Sequence, residues 1–211
     1  MARTADPHRR AELLDQIVDY LAGHGLSTLS MRPLAQHLGK STRVLTHHFA
    51  DKEALLSATM ERLDERHRAW LRSLPGWAGC DSVGTIIRRT WDWQTREENL
   101  PVARLIHEIE GLAAAGKLAG HVPRLLEDRS AFVAELLQER GMPEADASRV
   151  STLVNAAYSG LQIDFLTTGD RERVEAALDQ LCTAVDGWVA SGPSPEVKGG
   201  GAGACRATPP R

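Results

Sequence analysis

The chain has 211 residues, a length that suits one large domain or two small ones with a buried core. Hydrophobic residues make up 42% of the chain and charged residues 25%, as in ordinary soluble globular proteins. Its cysteines, Cys80, Cys182 and Cys205, have no zinc-site or disulfide-framework spacing, and no apolar run is long enough for a signal peptide or a membrane helix. We therefore expect a cytoplasmic protein with no metal or other cofactor.

Charge is distributed unevenly along the chain. Residues 1–52 carry seven basic and five acidic side chains, whereas the whole chain has a formal net charge of −3. Five of the eight histidines also lie in this segment. A basic N-terminal segment on an acidic body favours a polyanionic partner.

Apolar residues recur at helical spacing from the N-terminus onward. Ser30 and Ser41 are expected to cap short helices, and Asp51 a long one, because these side chains are favoured at helix N-caps. The pattern predicts four helices before residue 75: one from Pro7 to about Gly23, two short ones over 31–38 and 42–48, and a long one after Asp51.

The remainder of the chain is also predicted to be helical. After a break at Pro75, Gly76 and Gly79, further helices are expected near 82–98, 101–116, 122–140, 144–168 and 171–190. We predict an all-α fold of about nine helices. It comprises a small N-terminal helical domain (1–52), a larger helical bundle (53–191) and a disordered Gly/Pro-rich tail (192–211).

The stretch LGKSTRVLTHHF, residues 38–49, indicates the helix-turn-helix. Its short turn contains Gly39, which can adopt the left-handed conformation that such a turn requires. A turn this short forces the two flanking helices to cross steeply. With Leu45 and Phe49 on the inner face, the polar residues of the second helix face outward.

This outward face has the chemistry of a helix that reads DNA. Arg43 can donate two hydrogen bonds to guanine, and a threonine or valine methyl can contact a thymine methyl. Other polar and basic side chains can bind phosphates. The alternative is a solvated polar face, and the adjacent His47 and His48 diverge too much for a metal pair. The predicted DNA-binding residues are Ser30, Arg32, Lys40, Ser41, Thr42, Arg43, Val44, Thr46, His47, His48 and Lys52.

The segment from Arg9 to Leu56 resembles the DNA-binding domain of the tetracycline-repressor (TetR) family of bacterial transcriptional regulators. The resemblance rests on the amphipathic first helix and on the residues Gly25, Leu34-Ala35, Leu38-Gly39, Ser41, His48-Phe49 and Lys52-Glu53-Ala54-Leu55-Leu56. It implies that residues 1–52 are a helix-turn-helix DNA-binding domain and that residues 53–191 are an effector-binding and dimerisation domain. It also implies a homodimer that binds a palindromic double-stranded operator, and a small-molecule effector that moves the fourth helix and so changes the spacing of the recognition helices.

Three positions depart from the pattern of this family. Lys40 stands where valine is usual, Arg43 where a small residue is usual, and Thr46 where a tyrosine typically contacts the DNA backbone. Because Thr46 is too short for that contact, backbone binding is expected to shift to His47, Lys40 or Arg43. We infer that DNA binding is retained with an unusual operator preference; its loss is the alternative.

The resemblance also implies that the last two long helices form the dimer interface, although their apolar residues could equally be intramolecular core. The predicted interface residues are Val154, Tyr158, Leu161, Phe165, Leu178, Leu181, Val185 and Trp188. An effector pocket is expected among the helices between 82 and 168. Because apolar residues would line most of it, we expect a small, mostly apolar effector. Its predicted ligand-binding residues are Trp91, Trp93, His107, Glu110, Phe132, Tyr158 and Gln162, with Glu108, His121 and Asp164 as further candidates.

Two other functions are weighed against a ligand-responsive repressor. A regulator of the same fold could act without a small-molecule effector, either constitutively or through a protein partner. A helical enzyme could use His107 with Glu110, or His121, as acid and base. The sequence has no phosphate-binding loop, no HExxH and no nucleophile motif, so an enzyme is not expected.

Overall fold

A computed structural model describes residues 7–26, 29–73, 81–117 and 122–191. The predicted tail (192–211), the break at Pro75 to Gly79, and His121 lie outside these residues. The described residues form nine α-helices and a short 3-10 helix, which confirms the all-α prediction. The helices are α1 (Pro7–His24), α2 (Met31–His37), α3 (Thr42–His48), α4 (Lys52–Ser73), α5 (Val83–Gln94), α6 (Leu100–Ala114), α7 (Val122–Glu139), α8 (Glu144–Thr168) and α9 (Arg171–Ala190), with the 3-10 helix at Glu97–Asn99.

The predicted N-cap residues stand at the starts of α2, α3 and α4. The side chain of Asp51 accepts a hydrogen bond from the Ala54 N–H at 2.8 Å, so the predicted cap of α4 is confirmed. Ser30 and Ser41 occupy the N-cap positions of α2 and α3 in extended conformation, but within the described residues neither hydroxyl makes a capping hydrogen bond. These two serines therefore mark the helix starts while leaving their hydroxyls available.

Helix α5 ends earlier than the sequence predicts. The expected helix ran to residue 98, whereas α5 stops at Gln94. The side-chain amide of Asn99 donates to the Trp93 carbonyl at 2.7 Å, and Arg171 donates to the Thr95 carbonyl at 3.0 Å. These side-chain donors take the place of the backbone N–H groups that would bond to the same carbonyl groups if the helix continued.

The helices surround two hydrophobic cores. The first core is formed by α1, α2, α3 and the first half of α4, together with Leu105 and Ile109 of α6. The second is formed by α5, α7, α8, α9 and the end of α4. Helix α4 thus contributes to both cores, and the domain division at residue 52 stays a prediction. No helix among the described residues has the length and apolar character needed to cross a membrane.

Close contacts hold α5 against α9. The Asp186 carboxylate accepts hydrogen bonds from the Gly84 N–H at 2.8 Å and from the Ser82 hydroxyl at 2.7 Å. A Cβ atom added at Gly84 would lie 2.8 Å from the Cys182 carbonyl oxygen. Glycine is therefore needed here for the close approach of the two helices.

Candidate nucleic-acid interface

The turn between α2 and α3 has the predicted geometry. Gly39 has a φ of +62°, which confirms the left-handed conformation. The N–H of Lys40 donates to the Ala35 carbonyl at 2.9 Å, and the N–H of Gly39 donates to the Gln36 carbonyl at 3.1 Å. These two bonds satisfy carbonyl groups at the end of α2 and fix where α3 can begin.

Buried side chains determine which face of α3 points outward. Leu45 is 0% exposed and Phe49 2%, and both belong to the first core. Val44 is 39% exposed, which is unusual for a large apolar side chain. An exposed valine beside Arg43 and Thr42 gives this face both an apolar contact for thymine and a donor for guanine.

Nearly all of the predicted DNA-binding residues are exposed. His48 is half-buried, and the others are exposed: Ser30, Arg32, Lys40, Ser41, Thr42, Arg43, Val44, Thr46, His47 and Lys52. Thr46 directs its hydroxyl back at its own helix, toward the carbonyl oxygens of Thr42 at 3.2 Å and Arg43 at 3.3 Å. Its donor is therefore occupied, in keeping with the inference that other residues must contact the DNA backbone.

A cationic group forms where α1 meets α3. The Arg10 guanidinium lies 6.0 Å from the centroid of the Phe49 ring. The His48 ring packs against His47 at 5.4 Å and against Phe49 at 6.1 Å between centroids. Partial burial, followed by the charges of His47, Arg10 and Lys40, lowers the pKa of His48. Side chains from α1, the turn and α3 thus lie close enough to affect one another electrostatically.

Arg10 was not among the predicted DNA-binding residues, although the sequence contains a signal for it. Helix α1 begins with His8, Arg9 and Arg10 and has no acidic residue in its first turn. Basic side chains at a helix N-terminus interact unfavourably with the helix dipole. Such an arrangement is consistent with a surface that binds an anion.

Helix α6 contacts the turn between α1 and α2. The Glu108 carboxylate accepts a hydrogen bond from the Leu26 N–H, with its two oxygens at 3.2 and 3.1 Å. The Lys52 ammonium lies 3.5 Å from the Leu26 carbonyl oxygen. Glu108, a candidate for the pocket, therefore contacts the N-terminal helices instead.

Several predicted pocket residues join a polar network inside the bundle. The ring nitrogens of His107 lie 2.8 Å from Gln162 Oε1 and 3.2 Å from Glu110 Oε2. Gln162 Nε2 and the Tyr158 hydroxyl both donate to Gln94 Oε1, at 2.9 and 2.8 Å. The prediction missed Gln94, since a glutamine at a helix end has no distinguishing sequence pattern.

Charged side chains extend this network toward α4. Arg129 donates to Glu110 at 2.9 Å, and its Nε lies 3.8 Å from the carboxylate of Asp64. Burial alone would raise the pKa of Glu110, but the hydrogen bonds and charges of His107 and Arg129 lower it overall. Glu110 is therefore held as an ion that already has two partners.

Other predicted ligand-binding residues have different surroundings. Trp91 is 0% exposed and donates its indole N–H to Glu175 at 3.2 Å, so it joins α5 to α9. Phe132 lies beneath the guanidinium groups of Arg68 and Arg72 at 5.3 and 5.2 Å. Trp93 stacks on Trp70 of α4, with 4.7 Å between ring centroids. Asp164, the remaining described candidate, pairs with Arg173 on the surface.

Most of the predicted dimer-interface residues are buried or partly buried in the core of one subunit. Val154, Phe165, Leu178 and Val185 are at most 9% exposed and belong to the second core. Leu161 and Leu181 are partly buried against that core, and the Tyr158 hydroxyl is directed at Gln94. Of the eight, Trp188 is exposed. Leu153 and Ile163 of α8, which are not among the eight, are exposed as well.

Helix geometry explains why some apolar residues of α8 are buried and others are exposed. Helix α8 carries apolar residues on more than one side, so its periodicity does not indicate which side meets the rest of the subunit. Packing against α7 and α9 buries the side with Val154 and Phe165. The side with Leu153 and Ile163, 52% and 49% exposed, is left at the surface.

Comparison with known proteins agrees with this architecture. The sequence model of "Bacterial regulatory proteins, tetR family" matches residues 13–59, which span α1 to the start of α4. The chain is 38% identical over 189 residues to the HTH-type transcriptional regulator BetI of Paraburkholderia phymatum, an alignment that covers 81% of this chain and 87% of that protein. Alignments to BetI of Klebsiella pneumoniae and of Burkholderia thailandensis cover only 46% and 38% of those proteins.

Solved structures share the fold. A TetR-family transcriptional regulator from Rhodococcus sp. superimposes with a TM-score of 0.70 at 21% identity, covering 87% of this chain and 100% of that one. BioQ in complex with its double-stranded DNA operator superimposes with a TM-score of 0.53 at 20% identity, covering 83% and 96%. The family consists of transcriptional regulators rather than enzymes. From the near full-length relationship to BetI, and the family match across the helix-turn-helix, we conclude that this chain belongs to the tetR family of bacterial regulatory proteins.

Proposed function

We propose that this protein is a homodimeric transcriptional repressor that binds a palindromic DNA operator and is released by a small-molecule effector. The observation that carries the proposal is the outer face of α3, where Thr42, Arg43 and the 39% exposed Val44 lie next to one another. A donor fork beside an apolar side chain suits the floor of the major groove.

Contacts with the DNA backbone are assigned to the side chains around α3. Arg10, Lys40 and His48 come from three parts of the N-terminal segment. Arg10 lies over the Phe49 ring, and the charges of Arg10 and Lys40 both act on His48. Phosphate contacts of this kind position a recognition helix without reading sequence. They offset the short reach of Thr46, whose hydroxyl is bonded within α3.

Dimerisation is assigned to the exposed faces of α8 and α9. Leu153, Ile163 and Trp188 are large apolar side chains with 38% to 52% of their surface exposed, and small residues such as Ala156 and Gly160 lie between them on α8. Contact between two copies would remove this apolar surface from water. A two-fold dimer presents two copies of α3 to successive major grooves, as a palindromic operator requires.

Helix α6 provides a route between the bundle and the DNA-binding helices. Its residue His107 is bonded to Gln162 of α8, and the next residue, Glu108, is bonded to Leu26 beside α1. A shift of α6 would therefore act on both contacts. Since α6 and α4 share the first core, such a shift would also reach the helix that leads to α3.

A regulator without a small-molecule effector is the second candidate. It is favoured by one observation, namely that Gln94, Tyr158, Gln162, His107 and Glu110 hydrogen-bond to one another. A network that satisfies its own members has no need of a ligand. The two candidates differ in whether a small molecule changes operator affinity.

The DNA-binding proposal is tested by selecting bound sequences from random double-stranded DNA and comparing wild type with Arg43→Ala. Loss of a base contact should reduce discrimination between selected and random DNA by about 1–3 kcal/mol. Arg96→Ala, at an exposed position between α5 and the 3-10 helix, is the matched control. Failure of the wild type to enrich any sequence would overturn the proposed function, and unchanged discrimination by Arg43→Ala would overturn the role of Arg43.

A further inference from the structure

We propose that Thr46 is a base-reading residue of α3, and that its methyl group contacts the 5-methyl group of a thymine in the operator. This inference rests on the proposed function. The position where the family typically has a backbone-contacting tyrosine thereby takes a different role, namely the choice of one base pair.

The hydroxyl group of Thr46 is directed at its own helix. It donates toward the Thr42 carbonyl oxygen at 3.2 Å and the Arg43 carbonyl oxygen at 3.3 Å, so its proton is shared between two acceptors within α3. A phosphate oxygen only accepts hydrogen bonds, and Thr46 can donate to one only by giving up both contacts. The hydroxyl is therefore not the group that Thr46 offers to DNA.

The methyl group is the other end of this branched side chain. Both groups are attached to the Cβ atom and occupy different staggered positions, so an oxygen held against the backbone carbonyl groups leaves the methyl turned away from them. Thr46 is exposed. Its methyl group is thus available on the surface of α3.

The place of Thr46 on α3 suits a base contact. Leu45 is 0% exposed and belongs to the first core. Because successive residues turn by about 100° around a helix, Arg43 and His47 point away from Leu45. Thr46 lies beside Arg43 on one flank of this outward face, and Val44 lies on the other flank.

The spacing of Arg43 and Thr46 matches the spacing of base pairs. Three residues of helix rise about 4.5 Å, little more than one base-pair step of about 3.4 Å. A guanine bound by Arg43 and a thymine touched by Thr46 would then belong to neighbouring base pairs.

A methyl group selects thymine among the four bases. Thymine alone carries a methyl group on its major-groove edge, whereas the other edges present only hydrogen-bond donors and acceptors. Contact between two methyl groups removes apolar surface from water, but a methyl placed against a polar edge displaces water without replacing its hydrogen bond. The Thr46 methyl therefore favours a thymine at its position.

Uracil lacks only the 5-methyl group of thymine, so it provides the test. Thymines are replaced by uracil one at a time in the tightest duplex that the wild-type protein selects from random DNA, and binding is measured by fluorescence anisotropy. We expect at least one thymine at which uracil weakens wild-type binding about fourfold, as loss of one buried methyl contact implies. In Thr46→Ser, which keeps the hydroxyl and removes the methyl, thymine and uracil at this position should bind equally well.

Thr46→Val is the matched control, since it keeps the methyl group and replaces the hydroxyl. It should retain the fourfold preference for thymine over uracil at this position, together with the wild-type dependence of affinity on salt. Val44→Ala should retain the same preference, because Val44 lies on the other flank of α3.

The outcomes separate this inference from the proposed function. A selected duplex in which no thymine shows the preference, a preference that survives in Thr46→Ser, or one that is lost in Thr46→Val or Val44→Ala would overturn the role of Thr46 alone. Failure of the wild type to select any duplex would overturn the proposed function and this inference together.

Discussion

The Glu108 carboxylate accepts a hydrogen bond from the backbone N–H of Leu26 across 82 residues of sequence, with its oxygens at 3.1 and 3.2 Å. Glu108 lies on α6, next to the residue that bonds to the polar network, and Leu26 lies in the turn that follows α1. The contact therefore adds a polar link between α6 and the N-terminal helices to the apolar packing of Leu105 and Ile109 against them.

Replacement of Glu108 by alanine should loosen the turn after α1. We expect hydrogen exchange at the Leu26 amide to accelerate about fivefold, because loss of one exposed, charge-assisted hydrogen bond costs about 1 kcal/mol. Residue-resolved hydrogen exchange measures this directly. Glu135→Ala, at an exposed position on α7, should leave the Leu26 amide unchanged. An unaltered exchange rate in Glu108→Ala would mean that the contact does not hold the turn.

Arg10→Ala should weaken binding to every DNA sequence by a similar factor. The Arg10 guanidinium lies over Phe49 at the edge of the α3 surface, where it can contact a phosphate but is not on the outer face of α3 itself. Loss of one phosphate contact should reduce the slope of log affinity against log salt by about 1. Fluorescence anisotropy over a range of salt concentrations measures this slope, with Arg96→Ala as the control. A loss confined to one operator sequence would instead indicate base recognition.

Gly84→Ala should destabilise the fold. The added Cβ would lie 2.6 Å from Asp186 Oδ2 and 2.8 Å from the Cys182 carbonyl oxygen, and the carbonyl belongs to the backbone of α9. We expect a loss of about 1–3 kcal/mol in the free energy of unfolding, measured by urea denaturation.

The matched control for Gly84 is Gly111→Ala in α6. Among the described residues nothing lies within 4 Å of a Cβ added at Gly111. This substitution should stabilise the protein by about 0.5–1 kcal/mol, because alanine favours a helix over glycine. If both variants change stability in the same direction, the close approach of α5 to α9 does not determine the residue at position 84.

Ile163→Arg should convert the dimer to a monomer. Ile163 is 49% exposed on α8, and a guanidinium there would have to be buried without a partner when two copies meet. Sedimentation at micromolar concentration should give a dimer for the wild type and a monomer for the variant. Gln138→Arg, on an exposed part of α7, should stay dimeric. A monomeric wild type would contradict the assignment of this surface.

Stability should fall as the solution becomes acidic, partly because of His67. Desolvation, and after it the charges of Arg129 and Arg68, lowers the pKa of His67 from 6.5 to about 4. The unfolded chain then binds a proton at a higher pH than the folded protein does, so folding stability declines as pH falls from about 6.5 toward 4.

Comparison with His67→Gln isolates this contribution, since all other titrating groups are common to both proteins. Between pH 7 and pH 5 the wild type should lose about 2 kcal/mol more of its free energy of unfolding than the variant does. Urea denaturation at the two pH values gives the difference. Equal losses in the two proteins would show that His67 titrates normally in the folded state.

Features that depend on neighbours in sequence were predicted well. The apolar stripe of α1, the Asp51 cap and the left-handed Gly39 arise from interactions within one or two turns of the chain. For the same reason the predicted bounds of α8, 144–168, agree with the structure. The end of α5 was missed because distant side chains, such as Arg171, bond to its last turn.

The pairing of polar side chains inside the bundle could not be predicted from neighbours in sequence. Gln94, Arg129 and Asp64 gain their roles from partners on other helices, and nothing in their own sequence neighbourhoods distinguishes them. Arg10 likewise depends on the packing of α1 against Phe49.

By itself, the sequence determined that this protein is helical, where most of its helices begin and end, and which short helix presents a polar outer face. Only the tertiary structure decided which sides of α8 and α9 form the core, leaving Leu153, Ile163 and Trp188 at the surface. It also decided that Tyr158 and Gln162 converge on Gln94. Helix formation follows from a local periodicity, whereas the choice between two apolar faces, and the pairing of polar groups, depend on residues that only folding brings together.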